Sequence, residues 1–253
     1  MALLELRNVS KHFGGLSAIN ALDMTARGGE IVGLIGPNGA GKTTVFNVIT
    51  GVYQPDGGQV LLDGERIGGL APHLIARRGI VRTFQTTTLF SSLSVLDNVL
   101  VGLHLAARTG LVEAVFRTNS YRSKEAHLHH TARDILDFLG LTGMEGELAR
   151  NLPYGHQRRL SMCIALAAAP RFLLLDEPLA GMNPKEVTAM MDLIRSIRDQ
   201  RGIGVVLVEH NVRAVTSLCE RIVVLNFGEK IAEGTAAEIR DAPHVIDAYL
   251  GKG

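Results

Sequence analysis

A chain of 253 residues, 46% hydrophobic, has the length for one α/β domain with an inserted subdomain. With only 5% aromatic residues and no tryptophan, its core must be aliphatic. A formal net charge of +1 supplies no global field that would draw it to nucleic acid or anionic lipid.

At the N-terminus, Leu3, Glu5 and Arg7 alternate with Leu4 and Leu6, which predicts a strand. The start MALLELRNVSKHF lacks a basic segment followed by a long apolar core and is expected not to be a secretory signal. EIVGLI, Glu30 to Ile35, predicts a buried strand running into a glycine-rich loop, and residues 42–50 a helix. Gly57-Gly58 predicts a turn ahead of a strand at Gln59–Leu62. From about Val95 to Ala169 the strand signal disappears. Val95–Leu105, Ser123–Leu139 and His156–Ala169 read as helices, while Ala106–Tyr121 fits neither period. Strands return at Arg171–Leu175, Ile203–Val208 and Arg221–Asn226. The helix Pro184–Arg198 lies between the first two, with Val187, Met190, Met191, Ile194 and Ile197 at helical spacing and Pro184 suited to a first turn. Short helices are predicted near Ala236–Arg240 and His244–Leu250. Strands alternating with helices argue for a mostly parallel sheet, interrupted by a helical insertion. No apolar run approaches the roughly 20 residues that span a bilayer. Cys163 and Cys219 form no CxxC pair and are expected to be buried, reduced thiols.

GPNGAGKTT, comprising Gly36, Pro37, Asn38, Gly39, Ala40, Gly41, Lys42, Thr43 and Thr44, has the spacing G-x-x-x-x-G-K-[ST] between a strand and a helix. The glycines let successive amides curl inward around an anion, and the helix adds its positive N-terminal end. Lys42 places a cation on the β- and γ-phosphates of a nucleotide, and Thr43 offers a hydroxyl to Mg²⁺. RFLLLDEP, Arg171 to Pro178, ends a buried strand in two carboxylates, where parallel sheets bind ligands. Asp176 is read as a holder of Mg²⁺ through water and Glu177 as the base for an attacking water. Alone, two acids at a strand end are a weak signal; beside the phosphate loop they are a strong one. His127, His129 and His130 lack a nearby acid or cysteine and read as a solvated helix face.

With these motifs in order, the chain resembles the nucleotide-binding subunits of ATP-binding-cassette transporters over nearly its whole length. The resemblance implies a P-loop NTPase (RecA-like) α/β fold: a parallel-sheet core, an N-terminal antiparallel β-subdomain and an inserted α-helical subdomain. The implied division is 1–94 and 170–227 for the ATP-binding core, 95–169 for the helical signature subdomain, and 228–253 for a C-terminal extension. Phe13, in SKHFGG, matches the aromatic that stacks on adenine, a core phenylalanine being the alternative. Gln85, in VRTFQTTTLF, matches the glutamine that reaches Mg²⁺ or the attacking water. His210, in LVEHN, matches the switch histidine that contacts the γ-phosphate.

NLPYGHQRRL departs from the family's L-S-G-G-Q signature: Leu152, Pro153, Tyr154, Gly155 and His156 stand in its places, and Gln157 follows one position late. Pro153 supplies no hydroxyl and no amide proton, so backbone and helix dipole are expected to carry more of the phosphate contact. Asn183 stands in AGMN where an aspartate is usual. Both variants, and the tail GEKIAEGTAAEIRDAPHVIDAYLG, resemble the ATPases of branched-chain amino acid uptake systems. The resemblance implies ATP and Mg²⁺ as cofactors and a homo- or heterodimer with a second nucleotide-binding subunit. It also implies two transmembrane permeases, an external solute-binding protein acting indirectly, and a place on the cytoplasmic face of the inner membrane. Urea or short amides, aromatic acids and lipopolysaccharide export remain alternative cargoes, and a soluble cassette ATPase an alternative class.

Overall fold

The structure is a computed structural model that describes residues 1–83, 89–106, 119–243, 245 and 248. Two sheets organise it. β1 (Leu3–Phe13), β2 (Leu16–Arg27), β4 (Gly57–Leu62) and β5 (Glu65–Arg66) form an antiparallel sheet in the order β2-β1-β4-β5. The second sheet contains β3 (Ile31–Ile35), β6 (Ile80–Thr83), β7 (Phe172–Asp176), β8 (Gly204–Val208), β9 (Arg221–Asn226) and β10 (Glu229–Gly234). Its order is β10-β9-β3-β8-β7-β6, parallel except for β10.

The parallel strands are apolar at nearly every position because both faces of the sheet are covered. Successive side chains serve two separate cores. Ile31, Leu173, Val205 and Ile222 point into one cluster, and Val32, Leu174, Val206 and Val223 into the other. The second cluster lies under the antiparallel sheet, with Leu4, Leu6, Ile19 and Leu22, and includes Val45, Phe46 and Ile49 of α1 (Lys42–Ile49). Gly33 on β3 is needed for close packing: a Cβ there would lie 2.8 Å from Val215 and 3.0 Å from Cys219.

Helices α3 (Val95–Ala106), α4 (Asn119–Phe138) and α5 (Tyr154–Ala167) pack on one another and share the first cluster through Val99, Leu136 and Leu160. Helix α2 (Pro72–Arg77) precedes β6, and α6 (Pro184–Arg201), α7 (Val212–Leu218) and α8 (Ala236–Arg240) follow in the second half. Asn183 caps α6 in a capping box with Glu186, and Pro184 occupies the first turn, so asparagine supplies there the cap an aspartate would.

Several expectations need correction. Gly57 and Gly58 lie inside β4 rather than in a turn, with Gly58 at φ 75° against the carbonyls of Arg7 and Asn8. β10 is hydrogen-bonded to β9, so a boundary at residue 228 cuts a hairpin of the core sheet. β2, β6 and α7 were not legible as elements; β2 carries a left-handed residue, Ala21, and its register with β1 slips, which breaks the alternation. Residues 107–118 of the stretch that fitted neither period, and most of His244–Leu250, lie outside the described residues. Cys163 and Cys219 are buried free thiols; burial pushes both pKa values up, that of Cys219 to about 12. His127 and His130 are exposed on α4, and among the described residues no cluster of His, Cys, Asp or Glu could by itself hold a metal.

Candidate active site

Because β3, β7 and β8 are parallel, their carboxyl ends open on the same edge of the sheet. The order β3-β8-β7 therefore sets the phosphate loop beside the loops that carry Glu177 and His210. An open cleft of about 370 Å³ results, lined by Phe13, residues 38–44, Glu177 and His210 together with the apolar Leu16 and Phe227.

The phosphate loop has the backbone its glycines allow. Gly36, Gly39 and Gly41 have φ of 154°, 80° and 102°. At Gly36 a Cβ would stand 2.1 Å from the Leu225 carbonyl oxygen, and at Gly41 2.3 Å from that of Ala18. No side chain caps the N-terminus of α1, so its first amides are available to an anion. Lys42 is buried, its Nζ donating to the carbonyls of Gly36 at 2.7 Å and Pro37 at 2.9 Å. Burial lowers the pKa of its ammonium, and the carboxylates of Glu177 and Asp176 pull it back up. A cation held by weak carbonyl acceptors inside an anion-shaped loop fits a nucleotide triphosphate.

Glu177 leaves β7 in the left-handed region at φ 49°, an arrangement that costs about 1–3 kcal/mol and concentrates at functional sites. Its Oε1 accepts from His210 Nε2 at 2.8 Å, so the base and the switch histidine expected from sequence meet in the cleft. Asp176 is buried and paired: Arg82 donates to its Oδ2 at 2.5 Å and to Asn47 Oδ1 at 2.6 Å. Thr43, which lines the cleft, and Asp176, which does not, offer hydroxyl and carboxylate oxygens of the kind a hard cation such as Mg²⁺ takes. Gln85, expected as a further contact, lies outside the described residues.

Phe13 is 42% exposed, not a core residue. Its ring meets Tyr53 edge-on with centroids 5.1 Å apart, Lys11 Nζ stands 5.5 Å from the ring centroid, and the residue lines the cleft. Two supporting residues were missed from sequence. Arg82 orients Asp176. Glu209 is buried between the loops, its Oε1 accepting from Leu179 N at 2.8 Å and its Oε2 from His210 N at 3.2 Å. Burial raises its pKa. The only signal was position: an acid directly before His210.

The signature stretch lies elsewhere. None of residues 152–157 is among those lining the cleft. Pro153 is the N-cap of α5, its carbonyl accepting from His156 N at 2.9 Å and Gln157 N at 3.0 Å. Leu152 is buried, and the half-buried Gln157 donates its Nε2 back to the Leu152 carbonyl. His156 is half-buried, its Nδ1 without a hydrogen-bond partner. Pro153 and Tyr154 are exposed. Tyr154 Oη donates to the Ala180 carbonyl at 3.2 Å and accepts from Arg158 at 2.6 Å, tying the signature to the loop after Glu177. Gly155 packs against α6: a Cβ there would meet Glu186 Oε1 at 2.8 Å. Because the stretch lies outside its own chain's cleft, Gly155→Asp is expected to lower ATPase activity about tenfold or more in a dimer of such chains, the scale of one lost hydrogen bond to a charged group, while leaving nucleotide binding by the isolated chain intact. Steady-state hydrolysis and calorimetry check both halves; an active Gly155→Asp complex would make the stretch a structural remnant.

Comparison with known proteins agrees with this geometry. Residues 19–180 match the ABC transporter family model, and residues 229–253 that of the branched-chain amino acid ATP-binding cassette transporter. The high-affinity branched-chain amino acid transport ATP-binding protein BraF of Pseudomonas aeruginosa is 44% identical over 250 residues, 99% of this chain and 98% of that one. LivG of Escherichia coli, with the same description, is 42% identical over 99% of this chain and 98% of its own. The lipopolysaccharide export ATP-binding protein LptB of Escherichia coli is 36% identical over 100% of this chain and 98% of its own. Among solved structures, the ADP conformation of an ATP-binding cassette superposes with a TM-score of 0.87 at 29% identity, covering 100% of both chains. A dimeric post-hydrolysis cassette bound to ADP and Pi gives 0.76 at 25% identity, covering 92% of this chain and 98% of that one. Family model, full-length relatives and phosphate-loop cleft coincide: the chain belongs to the ABC transporter family, as an ATP-hydrolysing nucleotide-binding protein.

Proposed function

We propose that the chain is the motor subunit of a membrane importer for branched-chain amino acids. It would pair with a second ATP-binding subunit and drive two permeases from the cytoplasmic face of the inner membrane, with an external solute-binding protein delivering the cargo. The observation that carries the cargo is the tail. Residues 229–253 match the branched-chain amino acid transporter model, and the 44% and 42% identical relatives bear that cargo in their names. Among the described residues no helix is long and apolar enough to cross a membrane, and attachment would run through the permeases.

In this reading Phe13 stacks on adenine, and the amides of residues 38–44 with Lys42 bind the phosphates. Thr43 and Asp176 would hold Mg²⁺, which would supply charge neutralisation at the phosphate oxygens. Glu177 takes the proton of the attacking water. His210, hydrogen-bonded to Glu177, aims that carboxylate and reaches toward the γ-phosphate. The signature lies outside its own subunit's cleft, with Pro153 and Tyr154 open to solvent, which supports its serving the nucleotide of a second subunit. ATP then contacts two surfaces only in the closed dimer, and that difference in contact drives closure.

Deleting the gene is expected to remove most high-affinity uptake of labelled leucine, isoleucine and valine, restored by the parental gene but not by Lys42→Ala. Parental uptake of all three in the deletion strain would overturn the cargo and redirect it to short amides, aromatic acids or lipopolysaccharide.

A further inference from the structure

β9 and β10 are joined by two residues, Phe227 and Gly228, because Asn226 pairs with Glu229. Both linking residues have positive φ, 44° and 81°, the pattern of a type I′ hairpin turn. That turn favours asparagine, aspartate or glycine at its first position; a bulky side chain there is strained. Phe227 is nonetheless 83% exposed, so burial does not compensate the strain. What it does touch is the cleft: Phe227 lines the same cavity as Phe13, Lys42 and Glu177.

The turn is also anchored to the phosphate loop. Gly228 N donates to the Ala40 carbonyl at 3.0 Å, and Asn20 N donates to the Gly228 carbonyl at 2.9 Å. The Cα of Gly228 lies 3.6 Å from where a Cβ on Gly41 would stand. The backbone that carries Phe227 is thus tied to the backbone that would receive the phosphates, and Phe227 lines the cleft together with the apolar Phe13 and Leu16.

We propose that Phe227 is a second aromatic contact for the nucleoside half of the bound nucleotide, acting with Phe13 to hold the base or ribose while the loop holds the phosphates. This rests on the nucleotide reading of the cleft. A large apolar ring at a strained, solvent-exposed turn position gains its contacts only when a ligand with an apolar face enters, and a purine nucleoside is such a ligand.

The test uses the full chain with two probes, ADP and inorganic tripolyphosphate, by calorimetry. Phe227→Asn places the turn's preferred residue at positive φ, so its thermal stability is expected to equal or exceed the parent's. ADP affinity is expected to fall at least about fivefold, on the scale of one lost aromatic stack, with tripolyphosphate affinity unchanged. Phe227→Tyr should restore ADP affinity. Parental ADP binding by Phe227→Asn would overturn the proposal, as would an equal loss for tripolyphosphate, which would place the effect in the phosphate loop. Failure of the parent to bind either probe would instead sink the nucleotide reading itself.

Discussion

Glu177→Gln is expected to slow ATP hydrolysis by about 10²–10⁴-fold, the range a positioned general base supplies, while ATP affinity stays within a factor of a few. The substitution keeps the size of the side chain and an oxygen able to accept from His210 Nε2, which now stands 2.8 Å from Glu177 Oε1. What disappears is the carboxylate proposed to accept a proton from water. Retained binding without turnover should accumulate the closed ATP-bound dimer, visible by size-exclusion chromatography as a nucleotide-dependent shift. Single-turnover hydrolysis at the parental rate would remove Glu177 from the base role and leave its strained φ of 49° unexplained.

Lys42→Ala is expected to weaken ATP binding by at least about tenfold, since a hydrogen bond to a charged group is worth about 1.5–3 kcal/mol, and to bring hydrolysis below detection. The ligand-free variant should keep parental thermal stability. Lys42 is buried and its ammonium desolvated, so the two hydrogen bonds to the Gly36 and Pro37 carbonyls offset a cost that alanine does not carry. Calorimetry with ATP and a melting curve separate the two effects. Turnover at the parental rate would refute the phosphate-loop assignment.

The motifs with fixed internal spacing were readable because their chemistry is local. Gly36 to Thr44 must curl within nine residues, and the glycines at positive φ are the ones the pattern requires. The strands β3, β7 and β8 were readable because both faces are buried and each is a short apolar run. The elements that escaped are those whose own residues carry no clean period. β2 takes its register from β1 through a slipped pairing, and β10 has charged residues at half its positions and becomes a strand by pairing with β9. The signature was located, yet not its details. That Gln157 turns back to Leu152 and that Tyr154 reaches Ala180 depends on how α5 meets the start of α6.

By itself the sequence determined the phosphate loop, the paired acids at a strand end, the alternation that demands a covered parallel sheet, and the family. Each follows from residues a few positions apart, where chain geometry leaves little choice. Only the tertiary structure decided that β8 lies between β3 and β7, which brings His210 onto Glu177, that Arg82 neutralises Asp176, and that Phe227 shares a cleft with Phe13 some two hundred residues away. Those are contacts between distant segments. Their existence depends on strand order and turn geometry, which no local pattern specifies.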